Sequence, residues 1–381
     1  MKGKTFFLEQ AETLGGAERF LLDFFQTLQP TEIRRLSPVV VGAHADAYKK
    51  SLPGAVEIEY FDFPSVRGGF LKKIKAIFCL FHSAWKLKKL AQSQNATTFF
   101  SNTPRTHFVL LLAKYFFFLS GKWIVMVHDF TVPRFLLRRI AGKADVLIAN
   151  SMPCREYLRR HTSHHKKIRI IENGIDFSRI PEANPPRNIK NILVLGRIDP
   201  RKGQLFAAEA ADLLQERNPE IHFHIVGSSF PQDARTVYYE KKLHQFIRDR
   251  KLQNIEIQGE VKNPFEVIQK ADCVLFLPTE PETFGRVVIE SLALGKLVLS
   301  FNETGPREIL RNFESTLRSV PGISLLVEKQ NAMSLAEKIG FFADHPEEAR
   351  IFTQHARSFV EKNFDLEETK KRLFDTILQT H

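Results

Sequence analysis

Short runs of β-branched and aromatic residues alternate with longer amphipathic runs along all 381 residues of this chain. The short runs are apolar at consecutive rather than alternate positions. A strand of that kind is covered on both faces, which is the pattern of a parallel sheet flanked by helices. The predicted strands in the first half are Thr5–Leu8, Ser37–Val41, Val56–Tyr60, Thr97–Phe100, Trp123–Val127, Asp145–Ala149 and Ile168–Ile171. In the second half they are Asn191–Leu195, His222–Val226, Ile255–Gln258, Cys273–Leu277, Leu297–Ser300 and Ser324–Val327. Two such series predict an α/β protein of two doubly wound, Rossmann-like domains. The proline-rich run Pro181–Pro186 cannot lie inside a helix, and a new α/β series starts just after it at Ile192. The expected domains are therefore 1–180 and 181–364. Ligands of open parallel sheets bind beyond the carboxyl ends of the strands, so a cleft between the domains is expected, with its chemistry on the loops that follow strands.

Charge divides unevenly between the halves. Residues 1–170 hold 27 lysines and arginines against 12 carboxylates, whereas residues 171–381 hold 28 against 31. A polyanionic partner should therefore meet the first half. Cys79, Cys154 and Cys273 are widely spaced, which argues against a disulfide framework or a zinc site and for a reducing compartment. The apolar run Thr5–Leu8 is too short for a signal peptide, and His107–Leu119 is interrupted by Lys114 and too short to span a bilayer. A cytoplasmic protein is expected.

Three segments carry candidate chemistry. Gly15-Gly16-Ala17-Glu18 follows the first strand, and two glycines at the mouth of a helix let backbone N–H groups approach an anion. The same residues also read as a plain turn between strand and helix. They form neither G-x-G-x-x-G nor a P-loop, which counts against a dinucleotide dehydrogenase and a P-loop kinase. Gly196-Arg197 with Arg201-Lys202-Gly203 follows the first strand of the second half. A fork-shaped donor and a compact cation there suit a diphosphate, and a solvated basic loop is the competing reading. The third segment runs from Pro278 to Gly295 after an apolar strand, with a helix expected to begin near Gly285. Glu282 in that loop can accept hydrogen bonds from sugar hydroxyls, and Glu290, about one turn into the helix, from a ribose diol.

The run Glu282-Thr-Phe284-Gly285-Arg286-Val287-Val-Ile-Glu290-Ser-Leu-Ala-Leu-Gly295 resembles the E-x7-E signature of retaining GT-B nucleotide-sugar glycosyltransferases, the "glycosyl transferases group 1" family. Gly15–Glu18, Val127-His128-Asp129, Asn173–Asp176, Gly196–Gly203 and Thr304–Glu308 fall in that family's order, so the resemblance spans nearly the whole chain. Thr283 departs from the pattern, where glycine or proline is usual, and 44–69 matches nothing assignable. The resemblance implies that Arg197 and Lys202 neutralise the leaving diphosphate and that Glu290 holds the ribose. It implies that Glu282 holds the donor sugar's 3- and 4-hydroxyls, with donor contacts from Phe284, Gly285, Arg286 and Val287. Gly15 and Gly16 would lie by the phosphates, and His128 by the reacting centre, although a histidine ending a strand is more often structural. It implies an N-terminal acceptor domain, a C-terminal donor domain, and a last helix in 365–381 that crosses back onto the first domain. The donor would be a UDP- or GDP-linked sugar, with no cofactor beyond that co-substrate. No D-x-D triplet occurs, so no metal is expected and fixed cations would stabilise the leaving group. His161-Thr-Ser-His164-His165 lacks a carboxylate or cysteine partner and reads as a solvated loop.

Residues 70–90 place Phe70, Ile74, Ile77, Phe78, Phe81 and Trp85 at helical spacing, flanked by Lys72, Lys73, Lys75, Lys86, Lys88 and Lys89. One reading is a sheet-covering helix with a lysine-rich outer face. Another is a helix on an anionic membrane, and the two combine if the stripe enters the core and the lysines meet lipid. Since the resemblance places the acceptor on this basic first half, an acceptor at a membrane or carrying phosphate is favoured, a glycan or lipid-linked one, in envelope polysaccharide, lipopolysaccharide or glycolipid synthesis at the inner face of the cytoplasmic membrane. No nucleic-acid recognition motif is present. An epimerase or phosphorylase of the same fold, and a non-catalytic membrane- or polyanion-binding protein, are the alternatives.

Overall fold

The computed structural model describes residues 3–10, 15–42, 51–64, 70–317 and 322–379, with side chains omitted for 70–75. The chain divides into two compact units, Met1–Gly174 with Leu366–His381, and Ile175–Asp365. The division falls earlier than the proline-rich run. Ile175 donates its N–H to the carbonyl of Phe364 at 2.8 Å, and Ile175 and Ile180 are buried in the second unit's core. Arg357 also holds the carbonyl of Pro181, so the prolines belong to the second unit and do not link the two.

In the first unit, β1 (Lys4–Leu8), β2 (Pro38–Gly42), β3 (Glu57–Tyr60), β4 (Ala96–Ser101), β5 (Lys122–Val127), β6 (Val146–Ala149) and β7 (Ile168–Ile170) form one parallel sheet in the order β3-β2-β1-β4-β5-β6-β7. Alternate side chains enter opposite cores, as the two-residue repeat of a strand requires. Phe6, Phe99 and Val125 pack on one face, and Phe7, Phe100 and Ile124 on the other. The helix Leu366–Leu378 closes the second of these faces with Leu373, Phe374 and Ile377. Burying three such side chains contributes about 1.5–3 kcal/mol each before ordering costs. Lys122 from β5 caps that helix through the carbonyls of Thr376 and Gln379, both at 2.6 Å.

In the second unit, β8 (Asn191–Leu195), β9 (His222–Val226), β10 (Ile255–Gln258), β11 (Cys273–Phe276), β12 (Leu297–Phe301) and β13 (Leu326–Val327) form a parallel sheet in the order β10-β9-β8-β11-β12-β13. Both sheets are doubly wound: the strand order reverses between β1 and β4 in the first and between β8 and β11 in the second. At such a switch point the flanking connections leave toward opposite faces and open a crevice at the strands' carboxyl ends. The candidate residues lie at these two places.

The helix Phe70–Ser93 is oriented differently from the combined reading of its sequence. It turns Ala76, Leu80, Ala84, Leu87 and Ala91 inward, while Ile77, Phe78 and Trp85 face water. Three of the five inward residues are alanines, small enough to let the helix lie close on its neighbours. The large apolar residues are on the other side, and Phe81 is half-buried between the two. The side chains of Phe70, Lys72, Lys73, Ile74 and Lys75 lie outside the described residues, as do 43–50 and 65–69 within the unassigned segment. Among the described residues no helix is long and apolar enough to cross a membrane. The three cysteines are free, and burial pushes the Cys154 thiol up to about 12.

Candidate functional site

At the switch point of the second unit, β8 ends in Gly196, whose φ of +142° takes the chain through a conformation that favours glycine. Gly227, at the end of the adjacent β9, approaches so closely that a Cβ on it would lie 2.1 Å from the carbonyl oxygen of Gly196. Arg197 follows, then a single 3-10 turn over Pro200–Lys202 with Asp199 as its N-cap. The Asp199 carboxylate accepts from Arg197 at 3.0 Å and from Arg201 at 2.9 Å. Burial pushes this acid up, but hydrogen bonds and charge from Arg201, together with the charge of Arg197, outweigh it and hold the pKa at about 2. Both guanidinium groups keep over two-fifths of their surface exposed, 44% and 43%. A buried anion thus fixes two cations whose outer faces stay accessible, an arrangement suited to an incoming anion.

The loop after β11 lies across the switch point. Thr279 joins it to the 3-10 turn, its N–H donating to the Arg201 carbonyl at 3.0 Å and its hydroxyl to that of Pro200 at 3.1 Å. Lys202 pairs with Glu282 at 2.8 Å, with each side chain about one-third exposed. The carbonyl of Glu282 accepts from the Gly305 N–H and the Thr304 hydroxyl, at 2.8 and 2.5 Å. Gly305 has no room for a side chain, since a Cβ there would lie 2.5 Å from the Phe284 nitrogen. The loop carrying Glu282 is therefore clamped between the 3-10 turn and the start of helix Thr304–Thr316.

Gly285, at φ +96°, starts the helix Arg286–Ala293. Glu290 lies one turn in and pairs with Arg286 at 2.8 Å, both largely buried. Phe284 is 3% exposed and packs on Phe364 at 5.7 Å, so only its backbone is available to a ligand. Thr283 is equally buried, its backbone pressed against Gly305. Val287 is partly buried against the core. Arg197, Lys202, Glu282, Glu290 and the backbone of 284–287 thus gather at one strand-end region of this unit.

The first unit's switch point holds a different group. Glu9, Asn102 and His128 follow β1, β4 and β5, three neighbouring strands. The Asn102 side-chain NH2 donates to the Glu9 carboxylate and to the Ala17 carbonyl, which turns its Oδ1 toward His128 Nε2 at 2.7 Å. An acceptor at that position requires the imidazole proton on Nε2, leaving Nδ1 as the acceptor of the ring. Burial pushes the His128 pKa down to about 3, so the imidazole is neutral near pH 7. Phe20 packs its ring edge-on at 5.6 Å. Gly15 caps the helix Gly16–Thr27, but its N–H donates to the Glu18 carboxylate at 2.9 Å. One of the donors expected for an external anion is thus occupied by the chain's own acid, which burial pushes above the ordinary carboxylate range. A Cβ on Gly16 would meet nothing within 4 Å.

Sequence reasoning missed Asp199 and Asn102. Asp199 had a legible signal, since Asp-Pro before a short helical turn is an N-cap signature. Asn102 had none, because Ser-Asn-Thr-Pro is an ordinary exit from a strand. In the His161–His165 loop, His165 Nε2 is engaged by the carbonyls of Arg159 and Thr162. Among the described residues no three His, Cys, Asp or Glu side chains gather as metal ligands.

Two family models match in tandem: Glycosyltransferase Family 4 over residues 14–179 and Glycosyl transferases group 1 over 177–359. The chain belongs to the group 1 glycosyltransferases. HepE of Anabaena, solved in complex with UDP and glucose, superposes with a TM-score of 0.79 at 21% identity over 100% of both chains, and the shared fold is GT-B. An uncharacterized glycosyltransferase of Methanocaldococcus jannaschii is 29% identical over 180 residues, which are 44% of this chain and 42% of that one. A capsular polysaccharide biosynthesis glycosyltransferase, CapH of Staphylococcus aureus, is 29% identical over 153 residues, 40% of this chain and 41% of that one. The chain spans about half the length of the curated relatives it matches.

Proposed function

We propose that this group 1 family member is a retaining, metal-independent hexosyltransferase that moves a sugar from a UDP- or GDP-linked donor to a glycan or lipid-linked acceptor on the cytoplasmic side of the cell envelope. The observation that carries this reading is the pairing of a basic and an acidic strand-end loop across the β8/β11 switch point, joined by Lys202 and Glu282. As a sugar leaves, negative charge develops on the departing diphosphate. Arg197 and Lys202 supply positive charge there, and Asp199 fixes Arg197 before the reaction, so little reorganisation is needed as charge develops. Glu282 accepts from the donor sugar's hydroxyls and holds Lys202 in place; Glu290 accepts from the ribose diol. The backbone from Phe284 to Val287, turned at Gly285, brings helix N–H groups toward the donor.

The first unit supplies the acceptor side in this reading. Neutral His128, its proton held on Nε2 by Asn102, lies by the reacting centre in this reading and does not act as a cationic acid at pH 7. HepE has been crystallised with UDP-glucose, and CapH is described in capsular polysaccharide biosynthesis, which supports a nucleotide-sugar donor and an envelope glycan. Arg197→Ala and Glu290→Ala should each lower transfer about 10²–10³-fold, the cost of removing one preorganised charged contact. Circular dichroism should remain that of the parent. The measurement is nucleotide diphosphate release with an acceptor supplied, across UDP- and GDP-sugars; near-parental turnover in either variant would sink the assignment.

A further inference from the structure

The first unit leaves several large apolar side chains with much of their surface in water. On the outward face of helix Phe70–Ser93, Phe78 is 72% exposed and Trp85 39%. Phe81 on the same helix meets Phe116 of helix Pro104–Phe116, ring centroids 4.9 Å apart, which joins the two helices into one apolar face. Phe116 is 58% exposed, and Phe118, just beyond it, 82%.

Phe118 is the informative residue. Its φ is +53°, in the left-handed region favoured by glycine, and Leu119 N–H closes the helix end onto the Ala113 carbonyl at 3.1 Å. A phenylalanine there carries backbone strain and buries almost nothing, so the ring contributes nothing to the folded chain. Cations rim the same face. Lys89 Nζ lies 4.2 Å from the Trp85 ring centroid, and Lys143 Nζ lies 4.7 Å from that of Tyr115. The sequence across these helices is extreme in charge: between Asp62 and Asp129 there are 66 residues with ten lysines and arginines and no Asp or Glu.

We propose that the face carrying Phe78, Trp85, Phe116 and Phe118, rimmed by Lys89 and Lys143, docks on an anionic lipid bilayer. Aromatic rings enter the interfacial layer while the lysines meet lipid phosphates. Charge selects this occupant over a second copy of the chain, because an isologous contact would bring the same cations face to face with no carboxylate from these helices between them. The inference is independent of the transfer reaction.

The full chain is tested by flotation with vesicles of phosphatidylcholine alone or with 40% phosphatidylglycerol, at low and high salt. Binding to the anionic vesicles should exceed binding to neutral ones at least tenfold and weaken with salt. Trp85 fluorescence should shift blue and be quenched by brominated lipid. The other tryptophan, Trp123, is fully buried and contributes a constant signal. Phe78→Ser with Phe118→Gly should cut vesicle binding at least tenfold with a melting temperature no lower than parental. Lys86→Glu with Lys89→Glu, both on the outward face, should abolish the preference for phosphatidylglycerol. Absence of vesicle binding, equal binding to neutral vesicles, unchanged binding by both double variants, or a parental dimer that Phe118→Gly dissociates would each overturn the proposal.

Discussion

Two glycines that look alike in the sequence differ sharply in the fold. A methyl group on Gly305 would strike the backbone of the loop that carries Glu282, whereas one on Gly16 would enter open space. Gly305→Ala should therefore displace the loop, lowering transfer more than tenfold and the melting temperature by several degrees, since a backbone collision cannot be relieved by rotating a side chain. Gly16→Ala should fold at least as well as the parent, alanine being the better helix former. If it also loses activity, the loss reports on a ligand approaching that backbone. Both variants are checked by melting and by donor turnover measured side by side; a stable, active Gly305→Ala would refute the clamp. At this scale the placement of Arg197, Lys202, Glu282 and Glu290 beyond strand ends was legible, because the apolar strands before them mark where those loops begin. Asn102 was not, since its role depends on three strands lying side by side.

At the scale of elements, the strands were readable because runs apolar on both faces admit few alternatives. The helix Phe70–Ser93 was harder. Its periodicity located a helix, but its largest apolar residues suggested the wrong buried side, because alanines that allow close approach carry little weight in any pattern of hydrophobicity. Where a helix lies against its neighbours is decided by packing at close range. The helix Leu366–Leu378 gives a second case, anchored partly by Lys122, whose capping partners lie some 250 residues away. Lys122→Met should leave those carbonyls without their cap and cost about 1–2 kcal/mol. Hydrogen exchange should show the C-terminal helix opening earlier than the sheet on which it packs. Unchanged protection of that helix would contradict the capping role.

For the whole molecule, the two units differ in more than net charge. The first buries His107 as well as His128, each with a pKa held at about 3, and burial is the leading cause in both. An unfolded histidine titrates near 6.5, so between that value and about 3 the unfolded chain binds more protons than the native one. The stability of the first unit is therefore full above pH 6.5 and falls as pH drops toward 3. Neutral, fully buried His107 alone accounts for about 2 kcal/mol by pH 5. In the second unit, Asp199 is held low, and its contribution is lost only below its ordinary carboxylate pKa. Acidification from pH 7.5 to 5 should open the first unit before the second, with amides of β4 and β5 losing protection while those of β8 and β11 keep theirs. Earlier loss in the second unit would contradict this.

The path of the chain also bears on how the protein is made. Chain continuity places the whole of Ile175–Asp365 between two parts of the other unit, and Ile175 and Asp365 sit side by side as bridge partners. The seven-stranded sheet thus emerges from the ribosome early but lacks Leu373, Phe374 and Ile377 until roughly 190 further residues have followed, at rates that take on the order of ten seconds or more. Throughout that interval the part of one sheet face that this helix covers stays open, and the inserted unit, complete at Asp365, has its whole core before that helix is made. Completion order is therefore the reverse of synthesis order, and the first-made half stays the more open to misassembly until that helix arrives.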